Sequence, residues 1–471
     1  MQMDKTDKKE RFVDKVRITG IADKGKSVGR DANGRVVFVE NAAPGDLVDV
    51  KVYKDKKGYL EGYPIRFHEK SPERVKPFCQ HFNMCGGCQW QHITYEAQLA
   101  HKQIQVENVF KHLAKVAIEE FLPILPCVEN TFYRNKMEFT FANKRWLTNE
   151  EVAHGISPFE DVLGFHRPGA FDRMLNIEKC WLQADPSNDV RNTMRRIAIE
   201  QGLPFFDLKV QTGLMRHVMI RQTTLGEMMV IVSFYYRDEA QINTFLSAVL
   251  SVFPEITSLM FCINPKQNDF VLDLPMEIFH GKGYIEENLG AVRFRIGPKS
   301  FFQTNTKQAE RLFDTVAEFA DFTGGENVYD LYTGIGSIAL YIANKVKQVV
   351  GIEEVAPAIE DAIGNAERNN IRNATFYVGD VKDILTNSFA EKHGKPDVLI
   401  TDPPRSGMHP KVVDMLLQLA APKLVYVSCN PATQARDLAI LSDKYDVKKV
   451  RPVDMFPHTH HVENVALLAL K

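Results

Sequence analysis

The sequence has no hydrophobic run near the roughly 20 residues that a membrane-spanning helix requires. Its opening stretch, MQMDKTDKKERFVDK, is polar and mixed in charge, and it lacks the apolar core of a secretory signal peptide. An excess of charge of one sign is also lacking, because 58 basic and 60 acidic residues leave a net charge of -2. The first two absences predict a cytoplasmic protein outside the membrane. The near-neutral net charge does not exclude nucleic-acid binding, because a local basic face is enough to contact phosphates.

Cysteine is scarce and odd in number, with seven cysteines among 471 residues. A reduced cytoplasm disfavours a disulfide framework, so a metal or a catalytic thiol better explains clustered cysteines. Three of them, Cys79, Cys85 and Cys88, lie within the stretch FCQHFNMCGGCQW. This spacing predicts a shared site but leaves its ligand open, since thiolates bind zinc and iron–sulfur clusters alike.

Residues 1–70 are predicted to form a small β-barrel of about five strands, because short strands such as VRITGIA and GRVVFVE alternate with turn residues. This region contains 16 Lys and Arg against 12 Asp and Glu, a local net charge of +4. A small basic barrel suits single-stranded RNA. A solvated β-module without a ligand explains the charge equally well.

Residues 71–290 are predicted to form a strand-rich central domain. It holds the cysteine stretch, the helical segment ITYEAQLAHKQIQVENVFKHL and strands such as MEFTFA, HVMIRQT and EMMVIVSFYY. From residue 291 to 471 the pattern changes to apolar strands separated by helical stretches, among them QVVGIEEV, PDVLITDPP and LVYVSCN. That alternation predicts an α/β fold with a parallel, doubly wound sheet.

Three successive strands of the predicted sheet end near an acidic residue, namely Asp330, Glu353 and Asp380. Gly334 and Gly336 follow the first strand, where glycine permits a tight turn and the close approach of a ligand. The turn sequence GIGSIA lacks the third glycine of the dinucleotide motif. An acid-rimmed pocket therefore favours the cationic cofactor S-adenosylmethionine (SAM) over a pyrophosphate.

Cys429 follows the predicted strand KLVYVS, at the edge of the sheet where ligands bind. An isolated cysteine is usually a small buried hydrophobe. Beside Asp402 and a SAM pocket, however, a thiolate could add to carbon 6 of uracil, so that carbon 5 becomes nucleophilic enough to accept a methyl group. The carbon 5 proton must then be removed, and Glu463 in HHVENVALLAL is the candidate base.

Together these stretches resemble one family, the SAM-dependent RNA uracil-5-methyltransferases. The matching stretches are FFQTN, DLYTGIGS, GIEEV, DPPRSG, VSCNPATQARDL and HVENVALL. The N-terminal region resembles a TRAM domain, an OB-like barrel that binds RNA. The resemblance implies a Rossmann-like methyltransferase domain, an RNA partner and no obligate protein partner. Because the chain has both the barrel and the cysteine stretch, it is most similar to the bacterial 23S rRNA branch.

The resemblance also implies site residues. Those implied for SAM binding are Gln303, Tyr332, Glu353, Asp380 and Asp402. Cys429 would be the nucleophile and Glu463 the base, with Asp402 also facing the uracil. A [4Fe-4S] cluster is implied on four cysteines, and zinc is the physical alternative. Its ligands would be Cys79, Cys85, Cys88 and Cys180, the last in the segment NIEKCWLQ.

Other functions stay open at the level of the sequence. The substrate could be a tRNA uridine, the target could be carbon 5 of cytosine, or the chain could be an inactive RNA chaperone. Methylation of an exocyclic amine is disfavoured, because Arg405 in DPPRSG occupies the position where such enzymes place an aromatic residue.

Overall fold

The structure is a computed structural model that describes residues 11–471. Over that range no helix has the length and apolar character needed to cross a membrane. The cytoplasmic location stays a prediction.

The N-terminal region is a closed five-stranded barrel, as predicted. Neighbouring strands follow the order β1-β2-β3-β5-β4. Inward-facing residues alternate along each strand, and the barrel interior is filled by Val16, Ile18, Val37, Val48 and Leu60, among others. The strands are β1 (Arg11–Ile21), β2 (Ser27–Arg30), β3 (Val36–Val39), β4 (Leu47–Lys56) and β5 (Tyr59–Glu69).

The cysteine stretch follows the barrel and leads into helix α1 (Tyr95–Val109), which continues as a π-helical turn over Phe110–Ala114. Thr94 begins the helix, because its side chain accepts a hydrogen bond from the backbone N–H of Ala97. The short strand β6 (Ile118–Phe121) comes next.

A seven-stranded sheet occupies the centre of the chain, in the order β13-β12-β11-β10-β7-β8-β9. Its strands are β7 (Lys136–Lys144), β8 (Phe159–Arg167), β9 (Ala170–Asn176), β10 (Met215–Gln222), β11 (Met228–Phe234), β12 (Ser258–Ile263) and β13 (Glu277–Gly281). The helices between them are α2 (Asn149–Ala153), α3 (Ser187–Glu200) and α4 (Glu239–Val252). Apolar side chains of α3 and α4 pack against this sheet in one core. A hairpin of β14 (Ile285–Leu289) and β15 (Val292–Ile296) follows.

The C-terminal sheet has eight strands in the order β18-β17-β16-β19-β20-β22-β21-β6. The first five of these are parallel, as predicted, and β22 runs antiparallel between β20 and β21. Its new strands are β16 (Asn327–Leu331), β17 (Gln348–Glu353), β18 (Ala374–Val378), β19 (Val398–Thr401), β20 (Lys423–Ser428), β21 (Tyr445–Val453) and β22 (Glu463–Leu470).

Helices cover both faces of this sheet and bury an apolar core on each. They are α5 (Thr306–Ala320), α6 (Ser337–Ile342), α7 (Ala356–Arg368), α8 (Val381–Ile384), α9 (Asn387–His393), α10 (Pro410–Leu419) and α11 (Pro431–Leu441). The edge strand β6 comes from the region predicted to be central, and it pairs with β21. The predicted domain limits at residues 70/71 and 290/291 stay a prediction.

Candidate active site

Three predicted catalytic side chains lie at one end of adjacent strands of the C-terminal sheet. Asp402 follows β19 directly, and Cys429 follows β20. The sequence places Glu463 just before the last strand, whereas in the structure it is the first residue of β22. The β20–β22 ladder pairs Ser428 with Asn464. Cys429 follows Ser428 and Glu463 precedes Asn464, and because the two strands are antiparallel, both residues lie at the same end of the sheet.

Both carboxyl groups of this site have pKa values raised to near neutral pH. Burial, and to a lesser extent the nearby Asp402, raise the pKa of Glu463 to about 8 against an opposing effect of Arg405. Burial likewise raises the pKa of Asp402 to about 7, with a contribution from Asp330. Because burial penalises the charged form of a carboxyl group, each of these groups can carry or release a proton under physiological conditions.

Burial, together with the carboxyl groups of Glu463 and Asp402, raises the pKa of the Cys429 thiol to about 11. Arg405 acts in the opposite direction, through its charge and through a hydrogen bond with the thiol. Sequence reasoning noted Arg405 only as the residue that replaces an aromatic side chain. The DPPRSG motif alone could not show that the arginine reaches across to the end of β20.

The turn between β16 and α6 forms the neighbouring edge of the site. Three of its residues adopt left-handed backbone conformations, with φ of 65° at Tyr332, 56° at Gly334 and 80° at Gly336. Asp330 is buried beneath the turn, where one carboxyl oxygen accepts hydrogen bonds from Thr333 Oγ1 at 2.5 Å and a backbone N–H at 3.1 Å. Its other oxygen has no partner among the described residues.

Glu353 and Asp380 lie at the same edge. The Glu353 carboxylate accepts a hydrogen bond from the backbone N–H of Gly334 at 3.1 Å, which ties the end of β17 to the turn. Asp380 begins α8 and is paired with Lys382, whose ammonium lowers the pKa of the Asp380 carboxyl. Burial raises the pKa of Tyr332, and the charges of Asp380 and Glu353 add to the effect. The structure therefore brings these three predicted residues together.

Gln303 lies on the loop before α5, and the central sheet holds this loop. The side chain of Asn135 donates a hydrogen bond to the Gln303 carbonyl at 2.8 Å, and its backbone N–H donates to the Thr304 carbonyl at 2.8 Å. Within residues 11–471, no hydrogen bond joins Gln303 to the other predicted SAM-binding residues.

Comparisons with known proteins agree with this geometry. The family model for tRNA (uracil-5-)-methyltransferase matches residues 276–471, and the TRAM domain model matches residues 8–65. Two proteins described as uncharacterized RNA methyltransferases, from Bacteroides thetaiotaomicron and Porphyromonas gingivalis, are each 50% identical over 96% of this chain and over 100% and 99% of their own lengths. The chain belongs to the RNA methyltransferase family of these relatives, and its C-terminal part matches the tRNA (uracil-5-)-methyltransferase model.

A solved structure extends this likeness to the whole fold. The Pyrococcus abyssi tRNA (uracil-54, C5)-methyltransferase in complex with S-adenosyl-L-homocysteine is 26% identical, with a TM-score of 0.74 over 97% of this chain and 99% of that one. The protein is therefore a SAM-dependent RNA methyltransferase with an N-terminal TRAM barrel.

The methyltransferase also gathers the four predicted cluster cysteines around one cavity of about 660 Å³. Burial raises the pKa of Cys85 to about 11 and that of Cys88 to about 12, and the charges of the other cysteines contribute. All seven cysteines are free thiols. Among residues 11–471, the structure shows no preformed metal-binding group of three or more His, Cys, Asp or Glu side chains.

The rest of that cavity is basic and aromatic, and it reaches the loop that carries Gln303. Besides the cysteines, its lining includes Arg134, Lys136, Lys179, Trp181 and Thr304. Lys179 lies over the Trp181 ring at 4.4 Å from its centre. The donor set, four thiols facing one space, suits a thiolate-bound group.

Proposed function

We propose that this enzyme transfers a methyl group from SAM to carbon 5 of a specific uridine in 23S rRNA. The convergence of Cys429, Asp402, Glu463 and Arg405 at the ends of three adjacent strands carries the proposal. A thiol, a carboxyl group that recognises the base, and a second carboxyl group that removes a proton are what this reaction needs.

Cys429 begins the reaction as the nucleophile. Its thiolate adds to carbon 6 of the uracil, and the electron pair moves to an enolate that makes carbon 5 nucleophilic. A pKa of about 11 in the free protein keeps this thiol protonated, so a positive charge must assist its ionisation. Arg405 supplies such a charge within hydrogen-bonding reach of the sulfur.

Asp402 recognises the base and steadies the enolate. With a pKa of about 7, its carboxyl group is partly protonated at neutral pH. A protonated carboxyl group can donate a hydrogen bond to a uracil carbonyl oxygen, and that bond strengthens as negative charge develops there. Asp402 also lies near Asp330 of the cofactor edge, so it faces both the base and SAM.

Glu463 completes the reaction as the base. Bound SAM supplies the methyl group to carbon 5. Glu463 then takes the carbon 5 proton, the electrons of the C–H bond re-form the carbon 5–carbon 6 double bond, and the Cys429 thiolate leaves. A carboxyl group with a pKa of about 8 is a stronger base than an ordinary glutamate and still ionises near neutral pH.

The cofactor residues bind SAM at the neighbouring edge in this proposal. Glu353 accepts hydrogen bonds from the ribose hydroxyls, Asp380 lies at the adenine end, and Tyr332 and Gln303 complete the pocket.

Replacement of Cys429 tests the mechanism. We expect Cys429→Ala to abolish methylation of an RNA transcript, with SAM affinity retained, because the thiol acts on the base and not on the cofactor. Nucleoside mass spectrometry measures 5-methyluridine and distinguishes it from 5-methylcytidine, and calorimetry measures SAM binding. Cys262→Ala, at a buried cysteine of β12, is the matched control and should stay active. An active Cys429→Ala protein would refute the mechanism.

A tRNA uridine is the second candidate substrate. The TRAM barrel together with four clustered cysteines supports the 23S rRNA assignment, whereas the Pyrococcus abyssi relative, similar over nearly its whole length, is a tRNA (uracil-54, C5)-methyltransferase. Mapping of 5-methyluridine in 23S rRNA and tRNA, from cells with and without the gene, separates the two. Loss of the modification from tRNA alone would overturn the rRNA assignment.

We also propose that Cys79, Cys85, Cys88 and Cys180 hold a [4Fe-4S] cluster. Thiolates that share one zinc ion at about 2.3 Å must lie within about 4 Å of one another. The four thiols line one cavity of about 660 Å³, which has room for a group of several atoms, and zinc stays the physical alternative. The cluster would join the cysteine stretch to the segment before α3, and no step of the methyl transfer requires an electron from it.

A further inference from the structure

The loop that leads to Glu463 is held by residues distant in sequence. Residues 454–462 connect β21 to β22, and the ladder pairs Val453 directly with Glu463. The loop therefore leaves and re-enters the sheet at the same point, and its residue His461 is close enough to Arg405 for that charge to help lower the pKa of His461. This geometry makes the loop one wall of the site that contains Glu463.

Lys102 of α1 provides the charged contact with this loop. Both Lys102 and Asp454 are fully buried, and the ammonium donates hydrogen bonds to the Asp454 carboxylate at 2.6 Å and to the Phe456 carbonyl at 3.1 Å. Tyr95, at the start of α1 and seven residues before Lys102, donates a hydrogen bond from its hydroxyl group to the other Asp454 oxygen at 2.8 Å. A hydrogen-bonded pair sealed from water keeps a single geometry, because separating its members would leave buried polar groups without partners.

Further contacts from the same stretch hold the middle of the loop. Gln98 accepts a hydrogen bond from the backbone N–H of His458 at 2.8 Å. The backbone N–H groups of Gln89 and Trp90 both donate to the His458 carbonyl, at 2.8 and 3.0 Å. These two residues directly follow Cys88, so the cysteine stretch and α1 together determine where the loop lies.

We propose that Lys102 is a positioning residue for the proton-abstraction step: its contacts with Asp454 and Phe456 hold loop 454–462 so that the Glu463 carboxyl group stays dry and faces carbon 5 of the uracil. This inference rests on the proposed role of Glu463 as the base. Lys102 touches neither substrate nor cofactor, and it acts through the loop. Misplacement of a catalytic group by about 1 Å can slow a step by about 10²-fold.

The diagnostic measurement is which step of the reaction becomes slower in a variant. When proton abstraction fails, Cys429 stays bonded to carbon 6 of an already methylated base. Incubation of the enzyme with SAM and unmodified RNA then accumulates an enzyme–RNA adduct, which survives denaturing gel electrophoresis. The Lys102→Met/Asp454→Leu double variant removes both charges together and avoids an unpaired buried charge. Tyr95→Phe is a milder variant that removes one hydrogen bond to Asp454 and the one that the Tyr95 hydroxyl accepts from the backbone N–H of Cys127 at 2.7 Å.

We expect the double variant to bind SAM like the wild type, to form the methylated adduct, and to resolve it at least 10-fold more slowly. Tyr95→Phe should slow resolution less, in the same direction. Lys111→Met, at an exposed lysine on the continuation of α1, is the matched control and should resolve the adduct normally. Glu463→Gln provides the reference for a missing base and should accumulate the same adduct.

Two outcomes would contradict these expectations, and they are distinct. If Glu463→Gln accumulates the adduct while the double variant and Tyr95→Phe both turn over like the wild type, Lys102 has no positioning role. If Glu463→Gln itself gives no adduct, the proposed role of Glu463 fails, and the inference about Lys102 fails with it.

Discussion

At the scale of single residues, the candidate site combines a thiol and two carboxyl groups whose pKa values all lie above their ordinary range. Burial is the main cause for Cys429, Asp402 and Glu463; Asp402 also raises the pKa of Glu463, and both carboxyl groups raise that of Cys429. At neutral pH the Cys429 thiol is therefore protonated, Glu463 is mostly protonated and Asp402 is partly protonated. Protonation limits the mutual repulsion of these three groups.

Glu463 makes stability depend on pH. Its pKa is about 8 in the folded protein against an ordinary 4.5, so between these values the folded state keeps a proton that the unfolded chain has lost. Stability should therefore fall as the pH rises from about 4.5 to 8. We expect Glu463→Gln, which cannot ionise, to gain stability over the wild type by on the order of 3 kcal/mol between pH 5 and pH 8.5.

Urea denaturation at the two pH values measures this gain. Glu354→Gln is the matched control, because Glu354 is exposed and should show the same difference from the wild type at both pH values. A Glu463→Gln protein whose relative stability does not change with pH would show that the carboxyl group is not buried in its protonated form.

At the scale of elements, the β16–α6 turn contains two glycines, Gly334 and Gly336, that have different structural roles. A Cβ atom added at Gly334 would meet nothing within 4 Å, whereas one at Gly336 would lie 3.1 to 3.3 Å from Phe376, Leu340 and Ala362. Both residues have positive φ. Gly334 therefore borders the open space where a nucleoside can approach, and Gly336 packs α6 against its neighbours.

Alanine substitutions should separate these two roles. We expect Gly334→Ala to cost only about 1 kcal/mol of stability, because of its left-handed backbone, and to weaken SAM binding. Gly336→Ala should cost a further 1 to 3 kcal/mol or so, because the core must also shift. Urea denaturation and SAM calorimetry measure the two effects. The interpretation would be wrong if Gly334→Ala bound SAM normally.

Sequence patterns predicted this sheet well and its pairing less well. Apolar strands alternating with helices indicated β16 to β20, because parallel strands are buried on both faces. They did not indicate that β22 would insert between β20 and β21, or that β6 would add an edge. That insertion brings Glu463 beside Cys429, although 34 positions separate them in the sequence.

At the scale of the whole molecule, the cysteine stretch contacts three parts of the fold. Trp90 donates its indole N–H to the Gly25 carbonyl of the barrel at 3.0 Å, and its backbone N–H to the His458 carbonyl of loop 454–462 at 3.0 Å. Cys180, from the segment before α3, lines the same cavity as Cys79, Cys85 and Cys88. A group bound to the four thiols would therefore link the central sheet to the barrel and the active site.

Loss of the fourth cysteine tests this arrangement. We expect Cys180→Ala to lose most of its iron and the brown iron–sulfur absorbance, because three thiolates hold the cluster less tightly than four. Iron analysis and visible absorbance of anaerobically purified protein measure the loss, and Cys262→Ala is the control that should keep both. A full complement of iron in Cys180→Ala would show that another group is the fourth ligand.

The sequence by itself determined the barrel, the parallel sheet and the identity of the chemical groups, since strand periodicity, strand-end acids and short motifs are local properties of the chain. Only the tertiary structure decided which groups act on one another. Arg405 reaches the Cys429 thiol, and Lys102 is sealed against Asp454, 352 positions away. Such contacts depend on the order of the strands and on burial, and no short stretch of sequence specifies either. Burial in turn raises the pKa values of the carboxyl and thiol groups and makes buried pairs rigid.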